Sequence, residues 1–385
     1  MGKTKSEEEK LDSAIFEALD TINKINPYAT YLSDSTISSS VDKWIDTGSY
    51  VLNALISGSV NGGIPQGRVT LLAGESKVGK SLFIMKILAN AQQDGYIPVI
   101  FDSENALDPK GAMRVGLDLA KVKYVPCTTI EQTRNAIYKF LESIQADERL
   151  HNKFVVAIDS LGNMQSELEL KRMGKDNTAS DMGSAARATK SLLKMITNQG
   201  GLTGTTFVCT NHVYDDPAAM FPSLEKNMTG GKGTAYLPSV TVQLARKPID
   251  ARKAENQSKH GGELATAQKT YAGIIIRALT VKNRFIQQYL EGEMYLSFAT
   301  GLDRYFGLLE LALGVGAVIQ TGATYTLEDG TKLGHYKRFR KDVGLWEDTI
   351  IPIIEDRIAA EWSYSNGDEA EVAELEEEIL NLENE

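Results

Sequence analysis

Residues 73–81 read AGESKVGKS, and positions 74–81 fit the pattern G-x-x-x-x-G-K-[ST]. In that pattern the backbone N–H groups of a glycine-rich loop wrap a polyphosphate, provided that a strand leads in and a helix leads out. The apolar run RVTLLAG precedes the loop here, and SLFIMKILANAQQ follows it with helical periodicity. This context predicts a nucleotide site at the amino end of a helix, where free N–H groups and the helix dipole favour phosphate charge.

The loop supplies most of the predicted nucleotide contacts. We expect Lys80 to reach the β- and γ-phosphates of ATP, and Ser81 to give its hydroxyl to Mg²⁺. Such a site also needs an acid near the metal, and the apolar strand FVVAIDS ends in Asp159. ATP and Mg²⁺ are therefore the predicted cofactors. The other predicted cofactor-binding residues of the loop are Gly74, Glu75, Ser76, Lys77, Val78 and Gly79.

Hydrolysis of a bound nucleotide needs a group that orients and deprotonates a water molecule. The segment PVIFDSENALDP (98–109) reads as a further strand with Asp102 and Glu104 at its carboxyl end. Strand alternation would place these acids on one side of the chain, and open α/β sheets bind ligands at the carboxyl ends of their strands. Glu104 is therefore the candidate general base. A solvated loop carboxylate is the alternative interpretation.

The pattern along the chain predicts an α/β protein. From about 41 to 295, apolar runs such as KFVVAIDS, TTFVCTN, SVTVQLA and GIIIRALTV alternate with helical patterns. This alternation favours a mainly parallel sheet covered on both faces. Residues 300–366 read as a smaller mixed α/β piece, with a helix at 304–313 and a hairpin turn at 328–330. Residues 6–25 predict an amphipathic helix, followed by a polar linker at 33–40.

The composition limits the class of protein and its partners. Cys127 and Cys209 show neither pairing nor metal-ligand spacing, and the four histidines form no zinc pattern. No apolar run approaches the eighteen or so residues of a membrane helix, and the start MGKTKSEEEK is no secretory signal. These observations predict a cytoplasmic protein without a membrane partner.

At this point the chain resembles the RecA recombinase family, and within it the UvsX-type phage recombinases, over most of residues 45–340. Each motif is weak alone, but the ordered set is specific. DSENALDP resembles the segment that carries the family's catalytic glutamate, so Glu104 takes the base role by motif as well. The motifs are IDTGSYVLNALISG (45–58), GGIPQGRVTLLAG (62–74), DSENALDP (102–109), DMGSAARATKSLLK (181–194), FVCTNH (207–212), TGGKGTAY (229–236) and VKNRF (281–285).

The resemblance implies roles for three more residues near the nucleotide. Lys282 and Arg284 match the basic pair that reaches the ATP of a neighbouring subunit, and such cations stabilise charge on the transferring phosphoryl group. His212 occupies the position of the family's γ-phosphate sensor. Asp108 is left to contact the adenine edge, while Gly111 stands where the family has an aromatic residue that stacks on adenine. Glu75 fits a phosphate site only if its side chain points away.

The resemblance also implies two loops that hold single-stranded DNA, at about 163–182 and 213–232. Cations with interleaved apolar side chains suit a strand whose phosphates are neutralised and whose stack is interrupted. As charge runs alone, these residues would be solvated faces. The predicted DNA-binding residues are Lys171, Arg172, Lys175, Met182, Arg187, Lys194, Met220, Phe221, Lys226, Gly230, Gly231 and Lys232.

These inferences predict a DNA-dependent ATPase with a RecA-like core, which forms helical filaments on single-stranded DNA and pairs it with homologous duplex DNA. Loading or mediator proteins and a single-strand-binding protein are further expected partners, in the cytoplasm or, for a phage protein, the host cytoplasm. The alternatives are a ring-forming helicase, which the Lys-x-Arg pair and the short segment before the core disfavour, and an ATP-sensing regulator. The predicted domains are an N-terminal helix and linker (1–40), a core with a mainly parallel twisted sheet (41–298), a small C-terminal α/β domain (299–366) and an acidic tail (367–385).

The tail generates a prediction of its own. The formal net charge is −10, but residues 367–385 contain nine acidic and no basic residues, so the rest carries −1. A block of like charge is either a solubilising tail or an internal competitor for a basic DNA-binding surface. If the tail competes for that surface, deleting residues 367–385 should tighten binding to single-stranded DNA, as measured in a fluorescence anisotropy titration. Unchanged affinity would leave the solubilising role.

Overall fold

A computed structural model of the protein describes residues 7–26, 29, 41–173, 183–214, 225–250 and 271–362. Its contacts divide the chain into two units, separated after Asp42. In the first unit, α1 (Glu7–Ile25) confirms the predicted amphipathic helix. Its apolar side chains are exposed, among them Leu11 at 61% and Phe16 at 67%. An apolar face of this kind is stabilised when it packs on another surface.

The second unit contains the strands and the remaining helices. The strands are β1 (Trp44–Ile45), β2 (Ile64–Pro65), β3 (Val69–Gly74), β4 (Ile97–Asp102), β5 (Lys123–Pro126), β6 (Phe154–Asp159), β7 (Thr206–Asn211), β8 (Val213–Tyr214), β9 (Asn227–Met228), β10 (Val240–Asp250), β11 (Tyr271–Asn283), β12 (Glu291–Ser297), β13 (Gly301–Asp303), β14 (Val318–Thr321), β15 (Thr324–Leu327) and β16 (Lys332–Gly334). The α-helices are α2 (Tyr50–Ser57), α3 (Lys80–Gln93), α4 (Pro109–Arg114), α5 (Ile130–Gln145), α6 (Glu167–Met173), α7 (Ser184–Thr203), α8 (Lys232–Tyr236), α9 (Leu308–Gly314), α10 (Tyr336–Phe339), α11 (Val343–Leu345) and α12 (Ile351–Glu361). Short 3₁₀ helices span Leu119–Lys121, Glu148–Leu150 and Leu161–Asn163, and a π-helical turn spans Trp346–Ile350. Within the described ranges, no helix combines the length and apolar character needed to cross a membrane.

One large sheet organises the second unit. Within the part of the chain that the structure describes, nine strands form it in the order β13-β12-β11-β10-β3-β7-β6-β4-β5. The strands from β10 to β5 run parallel, which confirms the predicted mainly parallel sheet. The strands β11, β12 and β13 extend it as an antiparallel edge. The sequence did not separate these two kinds of strand, because a strand covered on both faces is apolar throughout in either direction.

Helices cover both faces of the sheet, and neighbouring residues of one strand serve different faces. On β3, Leu72 packs in a cluster with Phe83 of α3. Leu71 packs in the cluster on the other face, with Leu141 of α5 and Ile196 of α7. Since successive side chains of a strand alternate, both faces can be buried only if consecutive residues are apolar. This requirement explains the continuous apolar runs in the sequence.

The C-terminal segment contains a small sheet and short helices. Strands β15 and β16 pair antiparallel across the predicted turn at 328–330, where Gly330 has a φ of 87°. The predicted helix at 304–313 is shorter than expected and begins only at Leu308. Gly307, at a φ of 83°, precedes it and interrupts the helical backbone.

This C-terminal segment has an apolar cluster around the buried Trp346. Tyr50 and Ala54 of α2 belong to the same cluster, and Tyr50 Oη donates to Glu347 Oε1 at 2.6 Å. The segment therefore packs directly on α2, which precedes the first strands of the large sheet. The predicted division into domains at 298 stays a prediction.

Two glycines of the C-terminal segment give a matched test of how tightly this segment packs on Glu293 of β12. Gly307 and Gly316 both have positive φ, 83° and 69°. A Cβ at Gly307 would overlap the carbonyl oxygen of Glu293, whereas a Cβ at Gly316 would meet nothing within 4 Å. The left-handed backbone alone costs about 1–2 kcal/mol with a side chain, or roughly 1–3 °C in Tm for a chain of this size. Gly316→Ala should lose about that much and Gly307→Ala at least twice as much in thermal unfolding. Equal losses would mean that the contact with Glu293 relaxes easily.

Candidate nucleotide and DNA-binding site

The phosphate loop joins β3 to α3, and its two terminal glycines are required by local geometry. A Cβ on Gly74 would lie 2.7 Å from the carbonyl oxygen of Leu244 in the neighbouring strand β10. Gly79 precedes α3 with a φ of 98°, a conformation that favours glycine. No side chain caps the first turn of α3 at Gly79. Its N–H groups and the helix dipole therefore favour a bound phosphate.

Lys80 is buried at the start of α3. Its Nζ donates to the carbonyl oxygens of Gly74 at 2.8 Å and Glu75 at 2.9 Å. Burial lowers the pKa of Lys80, while the nearby carboxylates of Asp159 and Glu104 raise it. The ammonium group is thus held by the loop's own carbonyl groups. A polyphosphate would offer it charged acceptors, which form stronger hydrogen bonds than neutral carbonyls.

Ser81 and Asp159 form the candidate metal-binding pair. Asp159 ends β6, and the hydroxyl groups of Ser81 and Thr210 donate to its carboxylate. Burial raises the pKa of Asp159, and these hydrogen bonds lower it. No group of three or more His, Cys, Asp and Glu side chains in the described ranges could hold a metal ion by itself. One hydroxyl and one carboxylate fit Mg²⁺, which keeps several waters and takes other oxygens from substrate phosphates.

The turn after β4 directs Glu104 into the site. Asp102 is buried, and its carboxylate accepts from the backbone N–H groups of Glu104 at 2.8 Å and Asn105 at 2.9 Å. Tyr124 Oη donates to the same carboxylate at 3.1 Å. The carboxylate of Glu104 instead accepts from Ser160 Oγ at 3.0 Å. Strand alternation does not apply beyond Asp102, where β4 ends, so the two acids have separate roles, one in the turn and one in the site.

His212 connects Glu104 to the second predicted DNA loop. Its Nε2 lies 3.2 Å from Glu104 Oε1. Its backbone N–H donates to Oδ1 of the buried Asn211, and its carbonyl oxygen accepts from the N–H of Thr229 at 3.1 Å. Asn211 Nδ2 in turn donates to the carbonyl oxygen of Thr229 at 2.7 Å. The histidine beside the candidate base is therefore bonded to the far stem of that loop.

A cleft of about 160 Å³ brings these groups together. Val78, a predicted cofactor-binding residue, is fully buried and does not line the cleft. Sequence analysis missed Ser160, Thr210 and Leu82; only Thr210, a polar residue late in an apolar strand, gave a usable signal. The cleft is lined by Ser76, Lys77, Gly79, Lys80, Ser81, Leu82, Glu104, Asp159 and His212.

Glu75 lies outside this lining and points to another partner. Its Oε1 is 2.8 Å from Nζ of Lys226, in the stem of the second predicted DNA loop. The backbone N–H and carbonyl of Lys226 bond to the side-chain amide of Gln243, at 2.9 and 2.8 Å. Gln243 lies in β10 beside Ala73, where the phosphate loop begins. No sequence spacing relates these three residues, and the role of Gln243 was not predicted.

Helix α7 carries much of the described part of the predicted DNA-binding surface. Arg187 and Lys194 are both exposed, and their spacing puts them on one face of the helix. Lys190, which sequence analysis missed, is exposed on the same face. Its side chain lies 3.5 Å from the position of a Cβ on Gly233. The helix therefore presents a stripe of cations beside the second loop, an arrangement suited to a phosphate backbone.

The remaining described members of the DNA set lie on α6 and in the stem of the second loop. Lys171 and Arg172 are in the last turn of α6, where Lys171 Nζ is 3.9 Å from Glu167. Gly230 and Gly231 adopt φ of 90° and 79° and approach side chains of α7. Outside the described residues lie Lys175, Met182, Met220, Phe221 and the side chain of Lys232.

Lys282 and Arg284 lie at the end of the sheet opposite the cleft. Asn283, between them, pairs with Val240, and Val240 lies beside Thr70 near the start of β3. The phosphate loop leaves β3 at its other end, roughly 13 Å further along at 3.3 Å per residue. The structure therefore does not bring these two cations to the cleft of their own chain.

The surroundings of Lys282 are positively charged. Its Nζ donates to the carbonyl oxygens of Tyr236 and Pro238, the latter at 2.6 Å. Burial and the neighbouring Arg284 lower the pKa of Lys282 to about 8. Arg284 also lowers the pKa of Arg68, after the larger effect of burial. Three cations thus gather at this end of the sheet, and Arg68 was not predicted.

Asp108 has a local structural role. It caps α4, with Oδ1 accepting from the N–H of Lys110 at 3.0 Å. A Cβ on Gly111 would lie 2.8 Å from Asp108 Oδ2, so the glycine leaves room for this carboxylate. Neither residue lines the cleft. The adenine contact of Asp108 stays a prediction.

A strand, a phosphate-loop sequence and a helix, with a candidate metal-binding pair and a carboxylate at the same end of the sheet, are the arrangement of the phosphate-loop class of nucleotide-binding α/β proteins. Comparison with known proteins adds the family. The RecA N-terminal domain model matches residues 13–303, and the chain belongs to this family. It is 29% identical to Protein RecA of Acidothermus cellulolyticus over 76% of both chains, and 28% identical to Protein RecA of Mycobacterium ulcerans over 82% of both. Protein RecA of Chlorobium chlorochromatii is 29% identical over 80% of this chain and 78% of the relative.

The geometry of Glu104 leads to a prediction. Glu104→Gln keeps the size and the hydrogen-bond acceptor for Ser160 but removes the base, so ATP turnover should fall about 10²- to 10⁴-fold. Steady-state phosphate release would measure this loss. Binding of a fluorescent ATP analogue should persist, because the phosphate loop is unchanged. Turnover within a few-fold of the unaltered protein would remove Glu104 from the base role.

Proposed function

We propose that the protein is a DNA-dependent ATPase that forms a helical filament on single-stranded DNA and catalyses homologous pairing and strand exchange. The observation that carries this proposal is the separation of the candidate catalytic groups. Lys80, Asp159 and Glu104 meet in one cleft, whereas Lys282 and Arg284 lie at the opposite end of the sheet. Membership of the RecA family supports the same conclusion, since the similar relatives carry the name Protein RecA.

Within one subunit, the residues of the cleft bind and orient the reactants for hydrolysis. Glu104, fixed by Ser160 and by the Asp102 turn, orients a water molecule and accepts its proton. Lys80 places positive charge where the β- and γ-phosphates lie. Ser81 and Asp159 would hold Mg²⁺, which supplies neutralisation of the phosphate charge when it is bound. These residues position the reactants, and the barrier falls chiefly through electrostatic stabilisation.

A second subunit completes the site. Lys282 and Arg284 can reach a nucleotide only if another copy holds it, because their own cleft is at the far end of β3. A cation supplied across an interface stabilises charge on the transferring phosphoryl group and makes hydrolysis depend on assembly. Such a head-to-tail interface joins two different surfaces of the subunit and generates a ring or an open helix. The exposed apolar face of α1 offers a further contact to a neighbour.

The DNA side of the proposal rests on α7 and the second loop. Arg187, Lys190 and Lys194 would contact backbone phosphates, and the glycines at 230 and 231 allow close approach of the chain. Contacts to the backbone carry no sequence information, so a homologous duplex would be recognised by base pairing. The UvsX-type assignment, the mediator and the single-strand-binding protein belong to this proposal as expected relatives and partners.

Electron microscopy tests the assembly first. With long single-stranded DNA, Mg²⁺ and a slowly hydrolysed ATP analogue, we expect extended helical filaments that cover the DNA. Closed rings would favour the ring-forming helicase, because a head-to-tail interface also closes when its rotation divides a full turn. Absence of assembly together with absence of ATP turnover would favour the ATP-sensing regulator. Strand exchange between a single strand and a homologous duplex is the next assay.

Mixing two inactive variants tests the shared site. Glu104→Gln lacks the base, and Lys282→Ala lacks the cation, so each alone should show little DNA-stimulated ATPase activity. In an equal random mixture, about one interface in four joins an intact Glu104 to an intact Lys282 across a heterologous contact. The mixture should therefore regain about a quarter of the normal rate. Activity no higher than that of the separate variants would contradict a contribution from the neighbour, as would a fully active Lys282→Ala protein.

A further inference from the structure

Both stems of the second predicted DNA loop contact residues of the candidate nucleotide site. On the amino side, His212 reaches Glu104 at 3.2 Å. On the carboxyl side, Lys226 reaches Glu75 of the phosphate loop at 2.8 Å. The first contact uses the sensor position of the sequence analysis. The second joins a residue predicted to bind DNA to an acid of the phosphate loop that does not line the cleft.

We propose that Glu75 is a positioning residue that couples nucleotide binding to DNA binding through Lys226. In this role Lys226 acts through the ion pair and does not bind DNA phosphates, which replaces its predicted function. The inference rests on the proposed function and deepens it, because it names the contact through which the phosphate loop reaches the DNA-binding loop.

The backbone of Lys226 is hydrogen-bonded to β10, the strand beside the start of the phosphate loop. The side chain of Gln243, only 8% exposed, bonds to both the N–H and the carbonyl of Lys226. Gln243 is fixed in β10 next to Ala73, one residue before the loop. These two hydrogen bonds hold the backbone of Lys226 beside β10. From there the Lys226 side chain, 32% exposed, extends to Glu75.

Bound polyphosphate would strengthen this contact. The backbone N–H groups of the loop are fixed when they bind phosphate, so Glu75 loses fewer conformations when it pairs with Lys226. The phosphate charge also raises the negative potential around the Glu75 carboxylate, so pairing with the ammonium group of Lys226 offsets more repulsion than it does without nucleotide. Because a partly exposed ion pair is weak, the coupling it carries amounts to at most about fivefold in affinity. Coupling between two binding sites is reciprocal, so DNA must raise nucleotide affinity by the same factor.

The test measures binding of the full-length protein to a fluorescent oligothymidylate by anisotropy, with and without a slowly hydrolysed ATP analogue. In Glu75→Gln, the gain in DNA affinity caused by the analogue should shrink about two- to fivefold. Lys226→Gln should lose the same factor, and the double variant should lose no more than either single variant. Lys226→Arg preserves the pair and should retain the gain. The reciprocal gain in nucleotide affinity on adding DNA should fall by the same factor.

A direct contact between Lys226 and DNA gives opposite results and would overturn the proposal. Lys226→Gln would then weaken DNA binding with and without nucleotide, and the slope of log affinity against log salt would drop by about 0.7. Glu75→Gln would raise DNA affinity, because it removes an acid that competes with DNA for the lysine. On our proposal the salt slope stays the same and Glu75→Gln lowers the affinity measured with the analogue.

Controls separate this inference from the proposed function. Lys139 and Glu142 on α5 form an exposed pair of similar separation, 2.7 Å, and Lys139→Gln should leave the coupling unchanged. If Glu75→Gln binds nucleotide poorly by itself, Lys226→Gln decides the outcome with the phosphate loop intact. If the unaltered protein binds DNA equally with and without the analogue, the coupling fails, whereas the filament assay decides the proposed function. If it responds to the analogue and neither variant alters that response, only the coupling through Glu75 fails.

Discussion

The in-register parallel pairing of β4, β6, β7 and β3 is the constraint on which the site depends. Asp102 pairs with Asp159, and Ala73 pairs with Asn211, so the carboxyl ends of these strands lie together at the same end of the sheet. Since side chains alternate along a strand, a slip of one residue would exchange the faces of every side chain. The apolar clusters on both faces fix this register. The same packing that stabilises the core therefore also places the phosphate loop, the candidate metal-binding Asp159 and the predicted sensor His212 together.

The sequence was most informative where function requires a continuous segment. The phosphate loop needs its glycines, lysine and serine in consecutive positions between a strand and a helix, so its location and fold context could be predicted. Asp159 ends one apolar strand and Glu104 follows another, and the structure brings both to the cleft. The direction of β11 could not be predicted, because hydrogen-bonding direction leaves no mark on a strand that is apolar on both faces.

Contacts between distant segments left much weaker signals. Gln243 bonds to Lys226, and Glu75 pairs with the same lysine, yet these residues come from three separate segments. Their types are ordinary for exposed or half-buried positions, and only the tertiary structure relates them. Lys190 was missed for another reason. Its spacing from Arg187 is that of two residues on one helix face, but a cation on an exposed helix face usually contacts only solvent.

The separation of the cleft from the cluster around Lys282 gives the proposed filament a polarity. Every internal subunit has a neighbour at each end of its sheet, but the two terminal subunits lack different neighbours. One terminus then holds a nucleotide that receives no cation from a neighbour, and the other presents Lys282 and Arg284 with no nucleotide to reach. Short assemblies would consequently hydrolyse less ATP per subunit than long ones. The two ends would also differ in stability, so growth and loss of subunits would proceed at unequal rates at the two termini.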